Sequence, residues 1–199
     1  MSKFQGGLSS ILSAKILANK ISGCLLQSKA RPMHATHNTL SETIRAQSAG
    51  LLNLHLAAPI DLRGQVKQAH WNVSGPGFMA VHQLFDDVSG EVKTCSDMIA
   101  ERAGGVGSTA LGTVQVATER SFLVPYTLGV ADVTEHIFAA SATLAAFGQS
   151  IREAAAQATG SKDANTSDLS TEISRGIDRQ LWFVESHAPA KTDVQAVQK

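Results

Sequence analysis

The sequence predicts an all-α fold, four long helices packed as a bundle with a long crossover between the second and third that carries a short helix. Three observations predict it. Apolar residues recur at alternating spacings of three and four over long stretches, the period of a helix with one buried face. The breaks between these stretches carry chain-turning residues, such as Ser74-Gly75-Pro76-Gly77 and Gly104, Gly105 and Gly107. No segment alternates with period two for long enough to form a strand.

The first helix starts at a capping box, Thr39-x-x-Glu42, in which each side chain satisfies the other end's free amide. It runs to about residue 72 through Leu51, Leu52, Leu56, Ile60, Leu62 and Val66. Pro59 lies inside it, and an interior proline is expected to kink a helix or cost about 3 kcal/mol. The second helix covers about 78–103, with Val81, Phe85, Val88, Val92, Cys95 and Ile99 on one stripe. Residues 108–129 form the crossover, with a short helix near 113–119. The third helix spans about 130–158, its apolar face made by Val133, Ile137, Ala140, Leu144, Phe147, Ile151 and Ala154. The fourth spans about 164–187 through Leu169, Ile173, Ile177, Leu181 and Val184. Four long helices with one long crossover describe a ferritin-like bundle.

Three regions follow: a flexible basic N-terminal tail at 1–38, with a weak helix near 9–21, the bundle at 39–187, and a short polar C-terminal tail at 188–199. Of the 199 residues 43% are hydrophobic, enough for the core of one domain. No apolar run reaches eighteen residues, so no transmembrane helix is expected. Two cysteines, Cys24 and Cys95, make no disulfide framework. Cys95 falls on the buried stripe and reads as a free thiol, which fits a reducing cytoplasm. The net charge of zero hides an asymmetry. Residues 1–41 hold Lys3, Lys15, Lys20, Lys29 and Arg31 and no acid, whereas the remainder carries twelve bases against seventeen acids, a net −5.

Five side chains between Lys67 and Arg102 have the character of metal ligands: His70, His82, Asp86, Asp97 and Glu101. The last four fall on one helical stripe roughly 100° wide. Asp86 and Asp97 are eleven residues apart, about 16 Å along a helix, so one copy cannot close all four around one ion. The pairs 82/101 and 86/97 share one centre, between Glu91 and Val92. An antiparallel copy with its two-fold axis there brings His82 and Asp86 of one chain opposite Glu101 and Asp97 of the other, and the site occurs twice. Imidazole nitrogen mixed with carboxylate oxygen suits a redox-active ion such as Fe²⁺. Any one of these residues alone reads as part of a solvated helix face; the five at this spacing do not. No histidine follows a glutamate by three residues, which excludes the Glu-x-x-His pairs of a site inside one bundle.

The run HWNVSGPGF…VHQLFD…D…AER resembles the signature of the Dps family, the ferritin-like DNA-protecting proteins of starved bacteria. The similarity extends from about Thr39 to His187 and includes ALGTVQV and LWFVES downstream. The resemblance implies a ferroxidase that oxidises Fe²⁺, with hydrogen peroxide as preferred acceptor, and stores the ferric mineral in a hollow homododecamer. It implies two iron positions per inter-subunit site, with His70, His82 and Asp86 from one subunit and Asp97 and Glu101 from its two-fold mate. Trp71, beside His70, is a candidate quencher of stray one-electron oxidants, or a large packing residue at a helix end. Trp182 reads as core. Asp163 and Asp168 match the acids that line iron-entry pores, and equally suit a helix N-terminus.

The tail bases are the DNA-contact candidates. Twelve copies would meet phosphates by multivalent, salt-sensitive contacts without reading base sequence. A targeting peptide, or a true start at Met33, is the competing reading of the tail. His34 and His37 form a weak His-x-x-His, and His55, His136 and His187 read as structural. Two further readings stand beside the iron cage: a nucleoid-compacting protein with a secondary iron site, and an assembly that binds Zn²⁺ or Mn²⁺ without turnover.

Overall fold

The computed structural model describes residues 33–188. Its elements are α1 (Glu42–Asn72), α2 (Phe78–Gly105), α3 (Val114–Arg120), α4 (Val133–Gly160) and α5 (Ala164–Glu185). No strand forms among the described residues; one isolated bridge joins Ser74 to Asp132. The α1–α2 and α4–α5 hairpins pack antiparallel and close into a four-helix bundle, with α3 lying against α1. Phe85, Leu56, Leu62, Ile99, Phe147, Leu144, Ile151 and Ile177 fill its centre, each under 2% exposed.

The ends of the helices follow capping chemistry. Ser41, not Thr39, caps α1, its hydroxyl accepting from the Ile44 amide. The cap shifts because Asn38 Oδ1 accepts from the Leu40 amide and turns the chain before the helix begins. Asp132 caps α4 by accepting from Thr134 and Glu135. Gly107 leaves α2 at φ 86°, and a Cβ there would meet the His34 carbonyl and the Arg45 guanidinium at 3.0 Å.

Two expectations need correction. Pro59 does not break α1, which runs unbroken through it with Pro59 buried. Packing on both sides outweighs the one hydrogen bond that the proline cannot donate. Residues 33–38, expected to belong to the flexible tail, pack against the bundle instead. The His34 amide donates to Gly107 O, Asn38 Nδ2 donates to Gly105 O, and Met33 packs on the core. Residues 33–38 thus clothe the end of α2.

The crossover is held by polar residues of α1. Asn53 donates to Thr109 O and accepts from the Leu111 amide; Gln65 Nε2 donates to Val124 O; Ser121 Oγ donates to Asp61 at 2.5 Å. Cys95 is buried and free, and burial pushes its thiol up to about 12, so it stays protonated.

Candidate metal centre

Two of the five predicted ligands meet in a single chain. His70 lies in the last turn of α1 and His82 near the start of α2, brought together by the tight turn between them. Their rings stack with centroids 3.7 Å apart and planes 23° from parallel. Each ring's Nδ1 reaches the other residue's carbonyl, His70 to His82 O at 2.8 Å and His82 to His70 O at 2.9 Å. A carbonyl oxygen can only accept, so each Nδ1 carries the proton. The lone pair of each neutral ring then resides on Nε2. This reciprocal lock fixes the tautomer in which the Nε2 of both rings can bind a metal, as a carbonyl hydrogen-bonded to the far ring nitrogen of a metal-binding histidine does.

Asp86 lies one turn beyond His82 and is turned toward Lys67, whose Nζ donates to Oδ1 at 2.7 Å. That hydrogen bond, and the ammonium charge behind it, hold the Asp86 carboxyl below its ordinary value. The same Nζ stands 5.8 Å from the Trp71 ring centre. Lys67 therefore rests where a cation ligated by Asp86 would compete with it. The one sign of Lys67 in the sequence is its place one turn before His70. Trp71 itself is 68% exposed and is not a packing residue of this chain.

Asp97 and Glu101 stand exposed farther along α2, Asp97 within 3.9 Å of Lys93. Among the described residues of one chain, no three His, Cys, Asp or Glu side chains converge closely enough to hold a metal. The candidate ligands thus fall into two separate groups: His70 of α1 with His82 and Asp86 of α2, and Asp97 with Glu101 farther along α2.

The remaining candidates separate. Asp163 is 1% exposed and does not line an opening of this chain. It caps α5 by accepting from the Thr166 amide, and it takes further hydrogen bonds from Arg102 at 2.7 Å, Ser48 at 2.6 Å and the Thr166 hydroxyl at 2.7 Å. Burial raises its carboxyl pKa, but these hydrogen bonds and the Arg102 charge outweigh it and leave the value lowered. Asp168, a turn further, is exposed. Trp182, expected in the core, is 64% exposed and tilts against Phe183; the apolar stripe of α5 passes through Ile177 and Val184 instead. Lys3, Lys15, Lys20, Lys29 and Arg31 lie outside the described residues. His55 and His136 are buried and hydrogen-bonded to Ser150 and Tyr126, and His187 is exposed, none joined to the metal candidates.

Comparison with known proteins adds the following. The ferritin-like domain family matches residues 49–189. A DNA protection during starvation protein of Agrobacterium fabrum is 36% identical over 159 residues, 80% of this chain and 98% of that one. The fine tangled pili major subunit of Haemophilus ducreyi is 29% identical, over 77% of this chain and 76% of its own. Among solved structures, DpsA14 from Streptomyces coelicolor superposes with a TM-score of 0.74 at 30% identity, covering 80% of this chain and 94% of that one. The Dps of Mycobacterium smegmatis gives 0.74 at 26% identity, covering 78% and 94%.

Proposed function

Because this chain belongs to the Dps family of ferritin-like proteins, we propose that it is an iron-storing, DNA-protecting cage whose ferroxidase site is shared between two-fold-related subunits. The observation that carries the reading is the His70–His82 lock. Two imidazoles, one from the end of α1 and one from the start of α2, are held with Nε2 free, while the candidate carboxylates Asp97 and Glu101 lie too far along α2 to join them except from a second copy.

In this reading His70, His82 and Asp86 of one subunit and Asp97 and Glu101 of its mate hold two Fe²⁺ as substrate. The carboxylates offset the charge that builds as Fe²⁺ becomes Fe³⁺. Hydrogen peroxide takes one electron from each of two Fe²⁺ ions and, with two protons, leaves as two waters, so no hydroxyl radical is released. Asp86 must leave Lys67 to bind iron. Homo-oligomer formation fits the exposed apolar residues gathered at one end of the bundle: Trp71, Phe78, Met79, Phe138 and Trp182. A dodecamer, with Asp168 at its iron-entry pore, completes the proposal.

The test is a His82→Ala, Asp86→Ala variant given Fe²⁺ anaerobically and then peroxide, followed by absorbance alongside the mass of the assembly. The variant is expected to assemble and to oxidise Fe²⁺ only at the rate of a protein-free control. Undiminished peroxide-driven oxidation would remove these residues from the mechanism. Zn²⁺ or Mn²⁺ binding with no Fe²⁺ turnover in the unaltered protein would replace the ferroxidase with a static metal site.

A further inference from the structure

Tyr126 is the only tyrosine of the chain. It sits in the crossover, half-buried, with its hydroxyl hydrogen-bonded to Nδ1 of His136, a histidine wholly enclosed in the first turn of α4. The rings lie nearly parallel, 13° apart, with centroids separated by 6.1 Å. In the tautomer with the imidazole proton on Nε2, the phenol donates to Nδ1. Nε2 is buried and makes no hydrogen bond of ordinary geometry.

The pair is built into the same end of the bundle as the metal half-site. The Ser74 amide and hydroxyl both donate to Ala131 O, at 3.0 and 3.1 Å, and pin the end of the crossover to the turn that joins His70 to His82. Burial lowers the His136 pKa, while the Asn72 carbonyl, Glu135, the Val130 carbonyl and Asp132 oppose it. Burial outweighs them, so the ring is neutral at rest, and the nearby oxygens only lessen the cost of a transient positive charge. Asn72 follows Trp71 directly and stands two residues from His70. Burial also pushes the Tyr126 phenol up to about 12, so simple loss of its proton is disfavoured. Loss of an electron is another matter, because an oxidised phenol is a far stronger acid than an imidazolium.

We propose that Tyr126 and His136 form a proton-coupled radical trap at the end of the bundle that carries His70 and His82. A hydroxyl radical, produced when peroxide meets one Fe²⁺ rather than two, accepts an electron from Tyr126 and becomes hydroxide. The phenolic proton moves to His136 Nδ1, leaving a neutral tyrosyl radical and an imidazolium. A further Fe²⁺ resets the pair: it gives its electron to the tyrosyl oxygen, His136 returns the proton, and Fe³⁺ joins the stored product. Tyr126 is the redox residue and His136 its proton acceptor. The source of the oxidant rests on the iron-and-peroxide reading above; the redox character of the pair does not.

Two arms test it. In the first, the assembled protein receives one Fe²⁺ per site and then peroxide, and is freeze-quenched for EPR. In the second, iron-free protein is oxidised by azide radicals from pulse radiolysis. Both arms are expected to yield a tyrosyl signal, assignable to Tyr126 because the chain has no other tyrosine, and absent from Tyr126→Phe. His136→Gln, which keeps a hydrogen-bonding side chain but no base, is expected to shorten the radical's lifetime at least ten-fold. It is also expected to shift the high-field g-value that reports a hydrogen bond to the tyrosyl oxygen. Should that variant fail to assemble, exchangeable-deuteron coupling to the radical in the unaltered protein gives the same information. Tryptophanyl signals alone in the iron-free arm, or equal lifetimes and g-values with and without His136, would overturn the proposal. A protein that oxidises no Fe²⁺ yet carries the pulse-generated radical on Tyr126 would sink the iron reading and leave this one standing.

Discussion

His55 shows how a single buried side chain ties stability to acidity. It sits between α1 and α4, where its Nδ1 meets the Ser150 hydroxyl at 2.9 Å and its Nε2 has no hydrogen-bond partner. Burial depresses its pKa to about 4. In the unfolded chain the same imidazole takes its proton near 6.5. Above that value neither state is protonated and His55 contributes no pH dependence. Between about 6.5 and 4 the unfolded state binds a proton that the folded state refuses, so stability falls as pH falls. The slope is about 1.4 kcal/mol per pH unit and the total about 3 kcal/mol. Denaturant midpoints measured from pH 7 down to pH 4, at one protein concentration, are expected to drop over this window. In His55→Gln that part of the drop is expected to vanish. An unchanged slope would assign the acid sensitivity to other groups.

Among the elements, the first turn of α5 is tied by side chains to two other helices. Asp163 gathers α1 through Ser48, α2 through Arg102 and α5 through Thr166 into one buried knot. Asp163→Asn leaves the Arg102 guanidinium facing a neutral amide and is expected to cost about 3 kcal/mol, the scale for a buried pair that loses one charge. Asp168→Asn, on the exposed face, is expected to stay within about 0.5 kcal/mol of the parent while slowing iron entry. Thermal melts beside iron-uptake traces check both, and equal melting losses would merge two roles that the fold keeps apart. The sequence could not separate these acids, since both lie near a helix N-terminus and periodicity says nothing of what fills the space beyond. It likewise overstated Pro59: the rule for an interior proline is local, whereas α1 is packed along its length by the other helices and the crossover. The four bundle helices were legible because each is long, periodic and begins at Ser, Asp or Gly, with ends within a few residues of those expected. Trp182 was misread because apolar type stood in for position; only the register of Ile177 and Val184 decides which side of α5 turns inward.

At the scale of the whole molecule, the spacing of His82, Asp86, Asp97 and Glu101 suggests a two-fold pattern that an assembly must test, whereas the His70–His82 lock had no signal in the sequence. The lock depends on how the Ser74–Gly77 turn folds one helix end back upon another, and no spacing rule encodes two side chains exchanging backbone carbonyls. Charge distribution is the other molecular feature. The five bases of residues 1–41 stand against a body of net −5, so the body repels phosphate while the tail attracts it. Residues 33–38 lie on the end of α2, which places the point where the basic segment joins the bundle at the end bearing Asp163, opposite the exposed tryptophans. If tails of many subunits act together, DNA binding is multivalent, and shortening the chain to begin at Met33 removes all five bases from every subunit at once. Gel shift of the full chain is expected to retard DNA of any sequence at low salt and to weaken steeply at higher salt; the shortened protein is expected to lose that retardation and keep its Fe²⁺ oxidation. Equal retardation of both would move DNA contact to the bundle, where the acidic balance makes direct phosphate binding hardest to sustain.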